Sequence, residues 1–229
     1  MKDFTPLENA LGVTFNDKSI IEQAFIHRSY INENPRSGLA HNERFEFLGD
    51  AVVELIVTDH LFRTYPTHNE GELTAFRSAL VNAVVMADVA TSLGMNEYLL
   101  LSKGEAKDTG RARQTILANV YESFIGGLYL DQGYGPCATF IATTLLPRLS
   151  DIIAKKAWKD PKSTVQEKAQ ELVGVTPSYK VLTEVGPDHD KQFTIGIYFG
   201  DKKIAEGRGK SKQEAQQSAA EAALTAKGW

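Results

Sequence analysis

A stripe of carboxylates on an otherwise apolar helix is the feature that most constrains this sequence. Residues 43–57 read ERFEFLGDAVVELIV, and at about 100° per residue their acidic side chains fall on one narrow face. These are the side chains of Glu43, Glu46, Asp50 and Glu54. Like charges at this spacing repel each other, whereas a nearly all-apolar helix is normally buried. Buried like charges need a counter-ion, and oxygen-only ligands indicate a hard divalent cation.

A second helical segment, predicted at 114–130, offers partners for this stripe. Asn119 and Glu122 are three residues apart and Glu46 and Asp50 are four apart, so each pair can converge on one ion. Two such helices packed face to face would form a cage of three carboxylates and one amide oxygen, which favours Mg²⁺ or Mn²⁺. Such a site can activate water and neutralise the charge of a phosphodiester. The alternative is a solvated acidic stripe on a surface helix, which the surrounding apolar residues disfavour.

Size, hydropathy and charge narrow the class of protein. The 229 residues suffice for one large or two modest domains with their own cores. No apolar run approaches a membrane span and no secretory pattern is present, so we expect a cytoplasmic protein without a membrane partner. The single cysteine, Cys137, fits a reducing cytosol and is expected to be a buried, inert thiol.

The charge is distributed unevenly along the chain. The net charge is −4, but residues 161–229 contain 10 Lys and Arg against 9 Asp and Glu, a net charge of +1. The remainder therefore holds 15 basic against 20 acidic residues, a net charge of −5. An anionic ligand should meet the C-terminal part first, while the N-terminal part carries surplus carboxylates.

Periodicity divides the chain into a helical part and a mixed part. Residues 1–154 show only helical spacing, with helices predicted near 42–64, 70–93, 114–130 and 134–154. Gly126-Gly127 inside the third helix is costly by propensity, and close helix packing is the better explanation for the pair. Residues 155–160 form a polar connector.

Residues 161–229 show a different order of elements. The first helix is capped by Ser163 or Thr164, and the last is an alanine-rich helix capped by Ser211. Between them lie strands predicted at 178–185, 191–199 and 202–208. The order α-β-β-β-α predicts an antiparallel sheet with both helices on one face.

Several segments of the sequence resemble one family in the right order. Residues 42–51, NERFEFLGDA, closely resemble the signature of bacterial ribonuclease III. The likeness continues in HRSY at 27–30, EGEL at 70–73, RSALV at 77–81 and ILANVYE at 116–122, and the C-terminal part resembles a double-stranded-RNA-binding domain. The resemblance implies an all-α endonuclease domain at 1–154, a linker at 155–160, and an α+β double-stranded-RNA-binding domain at 161–229.

The resemblance also implies roles for individual acidic residues. Glu46, Asp50 and Glu122 fall on the family's metal and catalytic carboxylates, and Asp50 and Glu122 are those usually called catalytic. Glu43 and Glu70 fall on acidic positions with supporting roles near the scissile strand.

Two further positions carry implications of their own. Phe47 falls on the aromatic residue that enters the partner subunit of the family's dimer, and plain core packing is the alternative. Asn119 stands where the family most often has Asp. Its amide oxygen can still bind Mg²⁺, but one negative charge is lost, so ion affinity should fall and the metal requirement should rise.

The C-terminal part offers three elements for contact with duplex RNA, which is recognised by shape across two minor grooves and the phosphates between them. The candidate residues are Gln166 and Glu167 in the first helix, His189 at a loop tip, and Lys210, Ser211 and Lys212 at the start of the last helix. A helix N-terminus favours phosphate. Surface lysines are usually only solvated, but GRGKSK at 207–212 resembles the family's phosphate clamp. Gln213 and Gln216 or Gln217 replace basic residues, so affinity should be modest and salt-sensitive.

These expectations combine into one functional hypothesis. The resemblance implies a homodimeric, Mg²⁺-dependent endoribonuclease, with Mn²⁺ as a substitute ion. It would cut both strands of double-stranded RNA to 5′-phosphate and 3′-hydroxyl ends, in rRNA and mRNA processing. The apolar surface of the carboxylate helix independently favours a dimer, because one small domain cannot cover it. The alternative, motivated by Asn119, is a dimeric double-stranded-RNA-binding protein with weak or no catalysis.

Overall fold

The computed structural model describes residues 2–155, 158, 160–187 and 191–229, which divide into two compact units, Met1–Trp158 and Lys159–Trp229. The first unit is helical and contains α1 (Thr5–Leu11), α2 (Lys18–Ala24), α3 (Arg28–Glu33), α4 (Glu43–Thr64), α5 (Glu70–Leu80), α6 (Ala83–Ser92), α7 (Arg111–Gln132), α8 (Tyr134–Thr144) and α9 (Arg148–Ala154). Short 3₁₀ helices lie at Met95–Tyr98 and Glu105–Lys107. Among the described residues no single helix is long and apolar enough to cross a membrane, although two bent helix pairs reach that length and hydropathy together.

Two of the predicted helices are each divided in the structure. The segment predicted as one helix at 70–93 is α5 and α6, because the Asn82 side chain accepts hydrogen bonds from the backbone N–H groups of Val84 and Val85 and starts a new helix. The segment predicted at 134–154 is α8 and α9, with Pro147 immediately before α9. Proline lacks the N–H that a continuous helix would need there.

Helices α4 and α7 cross at the centre of the first unit through two glycines. A Cβ added to Gly49 would lie 1.8 Å from the backbone oxygen of Glu122. A Cβ added to Gly126 would lie 2.1 Å from the backbone oxygen of Phe45. The two backbones are therefore in direct contact, which confirms that close packing explains the glycine pair at 126–127.

The core of the first unit surrounds this crossing. Its largest fully buried side chains include Tyr121, Phe124, Phe15, Phe25 and Phe76. Cys137 belongs to the same core, where burial raises the pKa of its thiol to about 12, as expected for an inert cysteine. Trp158, inside the predicted linker, packs edge-on against Phe76 with ring centroids 4.8 Å apart.

The second unit has the predicted α-β-β-β-α order. It contains α10 (Pro161–Val173), β1 (Pro177–Val185), β2 (Gln192–Phe199), β3 (Lys202–Gly209) and α11 (Lys212–Lys227), and the strands form an antiparallel sheet in the order β1-β2-β3. Val165 of α10 and Ala219 of α11 share one core with Ile197 of β2. Both helices therefore cover the same face of the sheet, which confirms the predicted fold class.

The start of α10 differs from the prediction. Asp160 caps this helix, because its carboxylate accepts hydrogen bonds from the backbone N–H groups of Lys162 and Ser163 at 3.4 and 3.1 Å. Ser163 or Thr164 was the predicted cap, and that prediction is wrong. Asp followed by Pro161 at the first helical position is the stronger start signal. Ser211 does cap α11, where it accepts from the N–H of Glu214.

The contact between α4 and α7 yields a stability prediction. Gly126→Ala should lower the free energy of unfolding by about 2–3 kcal/mol, because the new methyl group must push the Phe45 carbonyl away. The control is Gly135→Ala, which lies in α8 with no atom within 4 Å of its added Cβ. That change should be neutral or stabilising by up to about 1 kcal/mol. Equal midpoints for both variants in urea unfolding would contradict the close crossing.

Candidate active site and nucleic-acid interface

The crossing of α4 and α7 brings the predicted acidic residues together. On α4, Glu46 lies three residues before Gly49 and Asp50 directly follows it. Gly49 approaches the backbone carbonyl of Glu122 on α7. The Asn119 side chain lies close enough to the Glu46 carboxylate to lower its pKa. The charges of Asp50 and Glu46 contribute to the raised pKa of Glu122. All four residues predicted to bind the metal therefore form one group, which we call the acidic group.

The electrostatics of the acidic group are unfavourable without a cation. Burial raises the pKa of Glu122 to about 8, and repulsion from Asp50, Glu46 and Glu54 adds to the increase. Burial also raises the pKa of Glu46, with a further contribution from Glu43, and the polar side chain of Asn119 opposes this shift. In the ion-free chain, Glu122 is thus protonated in much of the population at neutral pH.

Two arginines next to the acidic group were not assigned from the sequence. The Nε atom of Arg77 lies 2.8 Å from Glu54 Oε2, and its guanidinium also donates to the Thr58 hydroxyl at 3.0 Å. Glu43 lies 3.4 Å from Arg28. One feature of the sequence could have identified Arg77. It directly follows the buried Phe76, on a helix that packs against the carboxylate helix.

Glu70 and Phe47 are not among the residues that shift the pKa of Glu46 or Glu122. Glu70 starts α5 and lines a cavity of about 490 Å³ together with Phe62, His68 and Arg77. Phe47 is 83% exposed, so core packing within the protomer is wrong as an explanation of this residue. A large aromatic side chain this exposed on a folded domain indicates a contact surface.

The predicted RNA-binding residues occupy exposed positions at two helices of the second unit. Gln166 and Glu167 are exposed on α10, and Lys210, Ser211 and Lys212 are exposed where α11 begins. The Lys212 ammonium lies 5.7 Å from the centroid of the Phe193 ring, which restricts its position. His189, the third predicted element, lies outside the described residues.

The donor chemistry of the acidic group suits a hard divalent cation. Its oxygens come from three carboxylates and one amide, which Mg²⁺ and Mn²⁺ prefer. In the part of the chain that the structure describes, no three His, Cys, Asp or Glu side chains form a ready-made metal cage. The fit therefore rests on the kind of ligands and on the raised pKa values of Glu46 and Glu122, which a cation would lower.

Comparison with known proteins identifies the family. Residues 17–149 match the model of the Ribonuclease-III-like family, and residues 161–226 match that of the double-stranded RNA binding motif. The chain belongs to the ribonuclease III family. Ribonuclease 3 of Carboxydothermus hydrogenoformans is 45% identical over 95% of this chain and 93% of its own length. Ribonuclease 3 of Borreliella burgdorferi is 41% identical over 96% of this chain and 89% of its own length.

A solved structure agrees with the helical unit. The nuclease domain of ribonuclease III from Campylobacter jejuni is 32% identical, with a TM-score of 0.58, and the match covers 63% of this chain and 97% of that one. The present chain is accordingly an endoribonuclease with a double-stranded-RNA-binding domain. Members of the ribonuclease III family generally depend on a divalent metal ion.

The raised pKa of Glu122 predicts how the stability of the metal-free chain depends on pH. A carboxyl group whose pKa is about 8 when folded and 4.5 when unfolded favours folding fully below pH 4.5, and this contribution is lost as pH rises through 8. Glu122→Gln removes that loss. In EDTA, its Tm should exceed that of the wild type by about 5 °C at pH 8.5 and should be nearly equal at pH 4.5.

A matched control separates this effect from a general effect of amide substitution. Glu22→Gln makes the same change on α2 and should give the same difference in Tm at both pH values. A pH-independent difference for Glu122→Gln, measured by thermal unfolding, would show that Glu122 does not titrate in this range.

Proposed function

We propose that this chain is a Mg²⁺-dependent endoribonuclease that acts as a homodimer, cuts both strands of double-stranded RNA, and leaves 5′-phosphate and 3′-hydroxyl ends. The observation that carries the proposal is the burial of Glu122 beside the carboxylates of Asp50 and Glu46, which raises the pKa of Glu122 to about 8. Such a group is costly to fold and becomes favourable once a divalent cation binds. The domain at the C-terminal end supplies the binding of duplex RNA.

The residues of the acidic group have distinct parts in this proposal. Glu46, Asp50, Glu122 and the amide oxygen of Asn119 would hold the ion. When bound, a divalent ion makes water a stronger nucleophile and offsets the charge that develops on the phosphodiester. The backbone contact between α4 and α7 fixes the carboxylates relative to one another, so little reorganisation is needed. Glu122 must release its proton to act as a ligand, which links ion binding to pH.

The exposed apolar residues of α4 support a homodimer. Phe47, Leu55 and Phe62 are 83%, 58% and 71% exposed, and they lie within about 80° of one another around the helix. Phe62 also lines the 490 Å³ cavity, about 22 Å along α4 from Phe47. In a two-fold symmetric dimer, the aromatic residue of each protomer can enter the cavity of the other, so that the same contact forms twice. The Campylobacter jejuni nuclease domain is described as having a region involved in dimer formation.

The supporting roles, cellular setting and alternative function complete the proposal. Glu43 and Glu70 would support the site at its edges. The buried, unreactive Cys137 supports a cytoplasmic enzyme. Precursors of rRNA and mRNA are the proposed substrates, as the resemblance to the family implies. Asn119 favours a second candidate, a dimeric RNA-binding protein with weak or no catalysis, because a neutral amide stands beside Glu46 where an aspartate would add a ligand charge.

A magnesium titration with a long RNA hairpin tests both the site and the metal. Glu122→Gln should reduce cleavage at least about a hundredfold, because it removes a ligand charge from the ion. Asn119→Asp should lower the Mg²⁺ concentration for half-maximal cleavage several-fold, because it adds one. Rates and end groups are read from labelled RNA on gels. Glu22→Gln, the same type of change on α2, should cleave like the wild type.

Each result of this titration has a definite meaning. Wild type that stays inactive at every Mg²⁺ concentration, while Asn119→Asp cleaves, would favour the weakly catalytic alternative. Cleavage that survives Glu122→Gln would refute the assignment of that residue. Products with 3′-phosphates would refute the proposed chemistry.

The proposed role of Phe47 is tested by the oligomeric state. Phe47→Asp should shift the chain from dimer to monomer in sedimentation velocity, because an exposed charge would have to be buried at the interface. The monomer should stay folded, since Phe47 is 83% exposed. Leu172→Asp is the control, because Leu172 is 57% exposed on α10 and should not affect dimerisation. An intact Phe47→Asp dimer would refute the role.

A further inference from the structure

One lysine of the second unit is held in place by groups from two neighbouring elements. The ammonium of Lys162, in the first turn of α10, donates a hydrogen bond to Gln216 Oε1 of α11 at 2.8 Å. The same ammonium lies 5.4 Å from the centroid of the Tyr179 ring of β1. Most surface lysines move freely, and fixing one costs up to about 2 kcal/mol of side-chain conformational entropy. The Lys162 side chain, by contrast, is already half-buried and oriented.

The Lys162 ammonium lies beside α11, one turn beyond the lysines at the start of that helix. Gln216 lies four residues after Lys212, so both side chains project from the same face of α11. Lys212 is itself placed over the Phe193 ring at 5.7 Å. The structure therefore places two lysines over two aromatic rings of the sheet, with one at the first turn of α11 and the other beside its second turn.

The charge of Lys162 is retained because its hydrogen-bond partner is neutral. Other lysines of this unit form ion pairs with carboxylates, as in Lys168 with Glu171 and Lys203 with Glu206. The nearest carboxylate in sequence, Asp160, accepts hydrogen bonds from two backbone N–H groups at the start of α10. An amide oxygen positions an ammonium without neutralising it, which leaves the positive charge for an external anion.

We propose that Lys162 is a phosphate-binding residue of the duplex-RNA interface, with Gln216 and Tyr179 as its positioning residues. It supplies from α10 the positive charge that α11 lacks at position 216. The inference rests on the proposed binding of duplex RNA and extends that interface beyond Gln166, Glu167 and the Lys210–Lys212 turn. Neutralising one phosphate releases counterions, so each such contact adds about one unit to the salt dependence of binding.

The salt dependence of binding tests this proposal directly. The full-length chain is titrated with a fluorescent RNA duplex in EDTA, so that hydrolysis does not interfere, over a series of KCl concentrations. Lys162→Gln should weaken binding several-fold at about 0.15 M salt and reduce the slope of log K against log salt by about 1. The control is Lys227→Gln, since Lys227 also lies over aromatic rings, at 5.5 Å from Phe199, but at the other end of α11. It should keep the wild-type slope.

Double variants distinguish a direct contact from a structural effect. Gln216→Ala should weaken binding in the wild-type background and have no further effect with Lys162→Gln, because its role acts through Lys162. Exchanging the pair, Lys162→Gln with Gln216→Lys, should restore most of the slope, since the charge returns to the same place. Thermal unfolding confirms that each variant is folded.

The outcomes separate this proposal from the function on which it rests. Wild type that fails to bind duplex RNA refutes the proposed function. Wild type that binds, together with a Lys162→Gln slope equal to that of Lys227→Gln, refutes only the role of Lys162. A reduced slope that the exchanged pair does not restore refutes the placement of the charge beside Gln216.

Discussion

The direct contact between the backbones of α4 and α7 is the constraint on which the rest of the helical unit depends. Gly49 and Gly126 permit it, because any side chain at either position would overlap a carbonyl group of the other helix. The contact sets the separation of the two helices at the point where Glu46 and Asp50 face Asn119 and Glu122. A wider crossing would retain the core but separate the carboxylates, so the fold and the candidate site share one geometric requirement. Glycine at these positions lowers helix propensity, and the dense aromatic core around the crossing offsets that loss.

The same contact explains why the acidic group is electrostatically strained. Burial of Glu122 at the crossing, with added repulsion from the neighbouring carboxylates, raises its pKa to about 8 and so favours its protonated form. Arg77 relieves part of the excess charge by pairing with Glu54, which lies eight residues, or about 12 Å, further along α4 than Glu46. The protein thus offsets charge at the edge of the group while leaving its centre uncompensated. A divalent cation at the proposed site would compensate the charge at the centre.

Sequence reasoning succeeded where a single element carried the signal and was less successful where two elements had to meet. The stripe on α4, the three strands and the cap at Ser211 are local patterns, and all were predictable from periodicity and capping. The break at Asn82 was missed because the apolar spacing continues across it, although asparagine is a strong cap. The pairing of Arg77 with Glu54 depends on how α5 packs against α4, which no local pattern encodes. For the same reason the sequence indicated basic residues at the start of α11 but not Lys162, whose position follows from contacts with Gln216 and Tyr179.

The second unit shows that placement of charge can matter more than its amount. Its net charge of +1 is far below what a domain attracting a polyanion by overall charge would carry. Lys168, Lys191 and Lys203 are paired with glutamates, which offsets part of that positive charge. Lys212 and Lys162 are each restrained over an aromatic ring, which lowers the entropy lost when a phosphate binds. On a nearly neutral surface with a few fixed ammonium groups, an anion binds well only if its phosphates match the spacing of those groups. One kind of helix is thereby favoured over other anions nearby. Recognition of duplex RNA by shape requires this property, because the bases within the duplex are not read directly.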